Sequence, residues 1–267
     1  MRHNIVLCTL AYNEEDIVGY AVDYWKALGV SKAIVYNNCS TDSTVEQLKS
    51  YGDWIEIRDF KTEGQNDVVQ AQIKNGIINE FKGKDVWLVV CDFDEWLYSK
   101  DIDSVIDKME EGGYTCLGTQ WYGICNDSTP PYQNGVLLHT QSTKLYKQYI
   151  NHMPQFKDLG KFMLINPNKI EAMNWSVGNH ICHPTGDFKL YIATHDEAFA
   201  IHLNKGLSED YFVAKRKRMG ANLSVTNRMY NMCYEYNKSE EESRKEYRAY
   251  QEKSFNINEK SPSKFGF

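Results

Sequence analysis

Three carboxylates stand within four residues, Asp92, Asp94 and Glu95, directly after the apolar run VWLVVC at residues 86–91. A short apolar run rich in Val and Trp reads as a β-strand. The carboxylates therefore leave it together, at one end. Like charges held that close repel, and each resists leaving water. A divalent cation relieves both costs and keeps coordination positions for a further anion such as a diphosphate. An acidic turn capping a helix that begins near Ser99 has the same spacing, so spacing alone leaves both readings open.

Three other segments carry polar groups that could serve such a site. Thr9, Tyr12, Asn13 and Glu14 follow the first apolar run and suit either a planar base with its ribose or the cap of the next helix. The stretch NNCSTDST at 37–44 offers the amide of Asn38, while Ser40, Asp42 and Ser43 suit turn hydrogen bonds. HLNKGLSEDY at 202–211 adds His202 and Lys205. An imidazole can complete a metal shell that carboxylates begin, and an ammonium can neutralise a phosphate oxygen. His180, His183 and His195 compete for the metal role. Neither a GxGxxG dinucleotide loop nor an HExxH zinc motif occurs.

The elements that must position these groups alternate in the first third. Strands are expected at 4–10, 32–36, 54–57 and 85–91, with helices at 15–28, 43–51 and 66–80 between them. This rhythm argues for a mostly parallel, right-handed α/β sheet, which binds ligands beyond the C-terminal ends of its strands. Residues 9–14, 37–42 and 92–95 then share one edge. After residue 111, shorter strands are expected at 114–121, 135–139 and 161–166, a loop at 126–133, and a helix at 208–219 with Ser208 as its cap. The charged run at 238–254 suits an exposed helix. The expected division is a domain over 1–220 and a polar, helical extension over 221–267.

The 267 residues can bury a sizeable core, and 30 Lys plus Arg against 36 Asp plus Glu give a net charge of -6. That balance disfavours a general nucleic-acid binder. Seven cysteines, at 8, 39, 91, 116, 125, 182 and 233, lack paired spacing and read as reduced thiols, buried at Cys8 and Cys91. No stretch approaches the length of apolar chain that crosses a bilayer. A cytoplasmic protein is expected, with possible peripheral contact at the inner face of a membrane. The run Lys215, Arg216, Lys217 and Arg218 fits attraction to an anionic lipid-linked acceptor or a solvated helix face.

The segments LAYNEE at 10–15, VYNNCSTDST at 35–44 and VVCDFDEWL at 89–97 resemble the nucleotide-diphosphosugar-binding half of a GT-A glycosyltransferase of the family 2-like kind. HLNKGLSEDYFVAKRKRMG at 202–220 resembles the late segment of the neighbouring family 92-type group. The resemblance covers about residues 4–220, loosely in the middle. It implies a GT-A α/β fold with a mostly parallel central sheet and a C-terminal helical tail, binding a UDP-sugar through Mn²⁺ or Mg²⁺. Thr9, Tyr12 and Glu14 would approach the uridine. Asn38 stands where many family 2 enzymes carry an aspartate that reads the uracil. Asp92, Asp94 and His202 would hold the metal, with Asp92 facing the ribose or a metal-bound water and Asp94 the firmer ligand, and Lys161 and Lys205 would contact phosphate.

The implied reaction is inverting transfer of a hexose to a hydroxyl of a glycan or lipid-linked saccharide, with an acidic residue as base. Asp158, in FKDLGKF, is the first candidate; Asp187 and Glu95 are the others. Trp121, Tyr122 and Trp175 fit either sugar-stacking or core packing. Two other functions share part of the pattern: metal-dependent nucleotidyl transfer, and non-enzymatic carbohydrate binding.

Overall fold

Seven consecutive buried residues, Ile5–Ala11, form strand β1, which is paired in parallel along both edges and buried on both faces. The computed structural model describes residues 2–141, 144–148, 159–176, 182–203, 206–231 and 233–255. Helix α1 (Val18–Leu28) follows and ends at Gly29, whose φ of 76° closes the helix in the left-handed region that glycine adopts without strain. Then come β2 (Lys32–Asn37), α2 (Thr44–Lys49), β3 (Ile55–Asp59), α3 (Asp67–Phe81) and β4 (Trp87–Asp92). These strands lie in the order β3-β2-β1-β4, all parallel. Connections run to opposite sides of β1, so the crevice of the sheet opens between the C-terminal ends of β1 and β4.

β4 passes into β5 (Glu95–Tyr98) through a turn of only two residues, Phe93 and Asp94. That turn takes the chain from the large sheet into a second one. Helix α4 (Ile102–Glu111) starts three residues beyond β5, where Asp101 Oδ1 accepts the Ser104 N–H at 3.1 Å. The acidic cluster is thus a link between sheets, and a separate aspartate caps the helix.

The remaining elements are β6 (Cys116–Gly118), β7 (Gln120–Ile124), α5 (Leu138–Gln141), β8 (Leu145–Gln148), β9 (Leu164–Ile165), β10 (Ile170–Ala172), β11 (Thr185–Gly186), β12 (Leu190–Ile192) and β13 (Phe199–His202). β9, β6 and β12 extend the large sheet beyond β4, while β5-β13-β7-β8 form the second sheet. Helices α6 (Glu209–Ala221), α7 (Val225–Met229) and α8 (Glu240–Glu252) complete the described chain. The architecture is α/β with a largely parallel central sheet and C-terminal helices, as a GT-A fold has.

Several expectations for the second half change. The strand expected at 114–121 is two strands, because Thr119 marks the point where the chain leaves one sheet for the other. No strand forms at 135–139: Gly135, at φ 77°, donates to Asp23 Oδ2 at 2.9 Å, and the chain turns into α5. The helix at 238–254 is not simply exposed, since α8 fully buries Tyr247 against Phe212 of α6. All seven cysteines are free, with Cys8 and Cys91 buried. Among the described residues no helix is long and apolar enough to cross a membrane.

Candidate active site

Antiparallel pairing of β13 with β5 sets His202 opposite Glu95. The Leu203 N–H donates to the Asp94 carbonyl at 2.9 Å, which fixes the same register. His202 is buried, with its ring edge-on to Trp121 at 5.7 Å. Its Nδ1 lies 2.9 Å from Gln148 Oε1, and the Gln148 amide nitrogen donates to the Tyr146 hydroxyl at 2.8 Å. That network assigns the proton to Nδ1 and leaves Nε2 as a bare lone pair. Burial pushes the His202 pKa down to about 4, outweighing Asp94, so the ring is neutral near neutral pH.

The Nε2 lone pair faces Asp94 Oδ1 at 4.0 Å and Glu95 Oε1 at 3.8 Å. Lys161 already occupies Glu95 Oε1, so Asp94 Oδ1 and the His202 lone pair are the two facing atoms left for a ligand. Oxygen and nitrogen ligands of one divalent ion sit about 3–4 Å apart, so the Asp94–His202 pair fits a Mn²⁺ or Mg²⁺ ion. Among the described residues no three His, Cys, Asp or Glu side chains gather to hold a metal unaided. Further oxygens would have to come from a ligand or water.

Asp92 has different surroundings. Lys74 Nζ sits 2.6 Å from its Oδ1 and Lys161 Nζ 2.7 Å from its Oδ2. Burial pushes this carboxyl up, but the two ammoniums outweigh burial and hold it well below the usual carboxylate range. Lys161 also lies 2.5 Å from Glu95 Oε1, while Glu95 Oε2 accepts the Asp92 N–H at 3.0 Å. Burial lifts Glu95 to about 7 even with Lys161 opposing. From the other side Lys215 of α6 reaches Asp94 Oδ2 at 2.7 Å. Its neighbours Asp94 and Glu14 keep Lys215 protonated against burial.

Sequence reasoning missed Lys74, Lys215 and Gln148 as parts of this cluster. Lys74 lies on the buried stripe Ala71, Lys74, Ile78 and Phe81 of α3, and Lys215 follows Phe212 by three on α6. A lysine on an apolar stripe needs a buried partner, and that signal was readable. The run 215–218 is not a solvated face either: Lys215 and Arg216 are both buried. Gln148 left no signal, because β8 is placed by pairing with β7 and with Phe255, both distant in sequence.

The first two loops are bound to each other. The Glu14 N–H donates to Thr44 Oγ1 at 2.8 Å, and Asn13, at φ 54°, accepts the Thr41 N–H at 2.7 Å. Asn38 is buried, with its Nδ2 donating to Thr62 Oγ1 at 2.8 Å and its Oδ1 accepting the Thr62 N–H at 3.0 Å. Tyr12 is half-buried on the first loop and Thr9 is fully buried in β1. Thr9 Oγ1, Glu14 Oε2, Gln65 Oε1, Tyr211 OH, Arg218 Nε and Asn222 Nδ2 are buried without a hydrogen-bond partner. Most buried polar atoms in folded proteins have one. These six lie on β1, its neighbouring loops and α6, where a polar ligand would pair with them, while Trp25 Nε1 and Trp121 Nε1 are likewise unpartnered in the core.

Of the remaining candidates, Asp187 is exposed between β11 and β12, and no described hydrogen bond or ion pair joins it to the cluster. Asp158, Lys205 and His180 lie outside the described residues. His183 is exposed; His195 is 2.9 Å from the Tyr122 hydroxyl and stacks on Phe199. Trp121, Tyr122 and Trp175 are buried.

Glu14 gives a pH test of this geometry. Although the residue is partly exposed, its Oε2 is sealed, and burial lifts its pKa to about 7 from an ordinary 4.5, with Lys215 opposing. The folded state therefore binds the proton more tightly, and stability from this group is complete below pH 4.5 and lost as pH rises through 7. Glu14→Gln is expected to become more stable relative to the parent across that window. Urea midpoints at fixed pH check it; a constant difference from pH 4.5 to 8 would contradict the burial.

The family model for glycosyl transferase family 2 matches residues 6–192, more than half of the chain and from β1 through β12. No curated protein matches. Among solved structures, that of S. aureus TarS is 13% identical with a TM-score of 0.44, covering 82% of this chain and 39% of that one. TarS 1–349 in complex with UDP-GlcNAc is 10% identical with a TM-score of 0.41, covering 82% and 66%. A putative glucose-1-phosphate thymidylyltransferase from Bacillus anthracis, in complex with a sucrose, is 10% identical with a TM-score of 0.35, covering 62% and 72%. The chain thus spans about two fifths of the full TarS chain. With the family model matching residues 6–192, across the parallel sheet and the acidic turn after β4, the chain belongs to glycosyl transferase family 2.

Proposed function

We propose that the protein transfers a hexose from a UDP-sugar to a hydroxyl of a glycan or lipid-linked saccharide, with inversion and with help from Mn²⁺ or Mg²⁺. The observation that carries the reading is the gap between Asp94 Oδ1 and the bare His202 Nε2, at the crevice of the parallel sheet and ringed by buried lysines. Asp94 and His202 would hold the metal, which would supply positive charge to the departing diphosphate. Asp92 would stay an ion-pair hub, facing the ribose or a metal-bound water. Lys161 and Lys205 would add charge toward the phosphates. Thr9, Tyr12 and Glu14 would line the uridine side, with Asn38 holding residues 62–64 beside it.

In the reaction the acceptor oxygen bonds to the anomeric carbon as the carbon–oxygen bond to diphosphate breaks. UDP leaves with the electron pair, and the hydroxyl proton passes to a base. Asp158 is our choice, three residues from Lys161 in sequence. Asp187 is exposed, and Glu95 is sealed beneath the ion pairs. Residues 1–220 would carry both substrates, with 221–267 a polar, helical extension. The late segment at 202–220 supports kinship with the family 92-type group. A UDP-sugar donor suits a cytoplasmic enzyme working at the inner face of a membrane.

Calorimetric titration with UDP, with and without Mn²⁺, tests the reading. Tight binding that depends on Mn²⁺ and weakens about tenfold or more in His202→Ala is expected. Absence of UDP binding under either condition would remove the proposal. Consumption of a nucleoside triphosphate with release of pyrophosphate would favour nucleotidyl transfer instead.

A further inference from the structure

Three of the most exposed large apolar side chains fall within six residues: Val225 at 64%, Met229 at 75% and Tyr230 at 70%. On α7, Val225, Arg228 and Met229 share the outer arc, since positions three and four apart align, while Asn227 on the opposite side is buried. The surrounding charge is one-sided. Residues 211–234 hold five Lys or Arg and no Asp or Glu, in a chain whose net charge is -6.

Two of those five, Lys215 and Arg216, point inward to Asp94 and Glu246. Lys217 and Arg228 remain outside, while Arg218 is half-buried with its Nε sealed. Lys217 is exposed without an ion pair among the described residues. The nearest carboxylate oxygen to Arg218 is that of Asp16, at 3.9 Å. Arg228 donates only to the Leu223 and Gly220 carbonyls, so no acid neutralises it.

Exposed apolar side chains set among uncompensated cations match the surface of an anionic bilayer: the apolar groups enter the acyl boundary and the cations meet lipid phosphates. A second copy of the chain fits worse. An isologous contact places the same patch on both sides, so Lys217 and Arg228 would face their own copies. From these residues we propose that α7 and the end of α6 form a membrane-docking face for anionic lipid. The face adjoins the candidate site, because the Asn222 carbonyl accepts the Gln65 N–H at 2.7 Å and Lys215 of the same helix reaches Asp94. Docking stands whether or not the donor is a UDP-sugar.

Co-sedimentation of the full chain with phosphatidylcholine vesicles, with and without phosphatidylglycerol, is the test. Binding only to the anionic vesicles, weakened by salt, is expected. A Met229→Ser, Tyr230→Ser variant should bind about tenfold more weakly and keep its turnover on a soluble acceptor. Tyr230→Trp, in an otherwise unchanged chain, should shift its emission to the blue on anionic vesicles, which covers the case of a poorly folded double variant. No binding, equal binding to neutral vesicles, undiminished binding by the double variant, or an unshifted emission would overturn the proposal. So would a dimer in sedimentation velocity that the double variant dissolves.

Discussion

Asp94→Ala is expected to lower turnover of a UDP-sugar by about 10³-fold, close to 4 kcal/mol of transition-state stabilisation. Mn²⁺-dependent UDP binding should disappear with it. The physical ground is that Asp94 has two oxygens with two tasks: Oδ2 meets Lys215 at 2.7 Å and Oδ1 faces His202. Alanine removes both. It also leaves Lys215, a buried ammonium, with Glu14 as its nearest remaining acid. Losing one partner of a buried pair costs about 3–5 kcal/mol of stability, which could by itself mimic a loss of function.

The double variant Asp94→Ala, Lys215→Met separates the two effects. Removing both charges restores most of the stability, because no unpaired ion remains buried. Activity should stay low. A double variant that recovers turnover would show that Asp94 only neutralises Lys215. Thermal unfolding and initial rates on the parent, both single variants and the double variant complete the cycle.

Gly160→Ala should destabilise the fold by about 1–3 kcal/mol and depress activity as well. A Cβ at position 160 would run into Cδ1, Nε1 and Cγ of Trp121. Trp121 is fully buried, so the ring has no free space to retreat into. The backbone at 160 is not in the left-handed region, so the cost is a clash, not a lost conformation. The displaced ring is the one set edge-on against His202, and the next residue is Lys161, which joins Asp92 to Glu95. Unfolding midpoints and the UDP affinity should fall together. An unchanged midpoint with full activity would mean that Trp121 does not pack there.

The parallel half was legible in the sequence because long apolar runs bury on two faces and amphipathic helices repeat between them. Residues 4–10 and 85–91 needed only small boundary shifts to become β1 and β4. The second half was not, because β6, β9 and β12 are two or three residues long and exist through pairing with strands far away in sequence. Gly135 turned an apolar stretch away from the extended form without any periodic signal. In the site, the carboxylates and His202 were readable by residue type. Their ion pairs were not: Asp92 was expected near a metal or ribose, and the structure adds two lysines that use both of its oxygens.

The two-residue turn of Phe93 and Asp94 has a further consequence for how this chain folds. β1, β2 and β4 can associate from neighbouring segments, but the groups facing Asp94 arrive from residues 202 and 215, the latter 121 positions away. Contacts that close such large loops lose the most chain entropy before they give anything back, so they tend to form late. The sheet should appear first on refolding, and competence to bind UDP should lag behind it. Nucleotide affinity would then report the last step of folding, and a bound donor would slow unfolding from the end that assembles last.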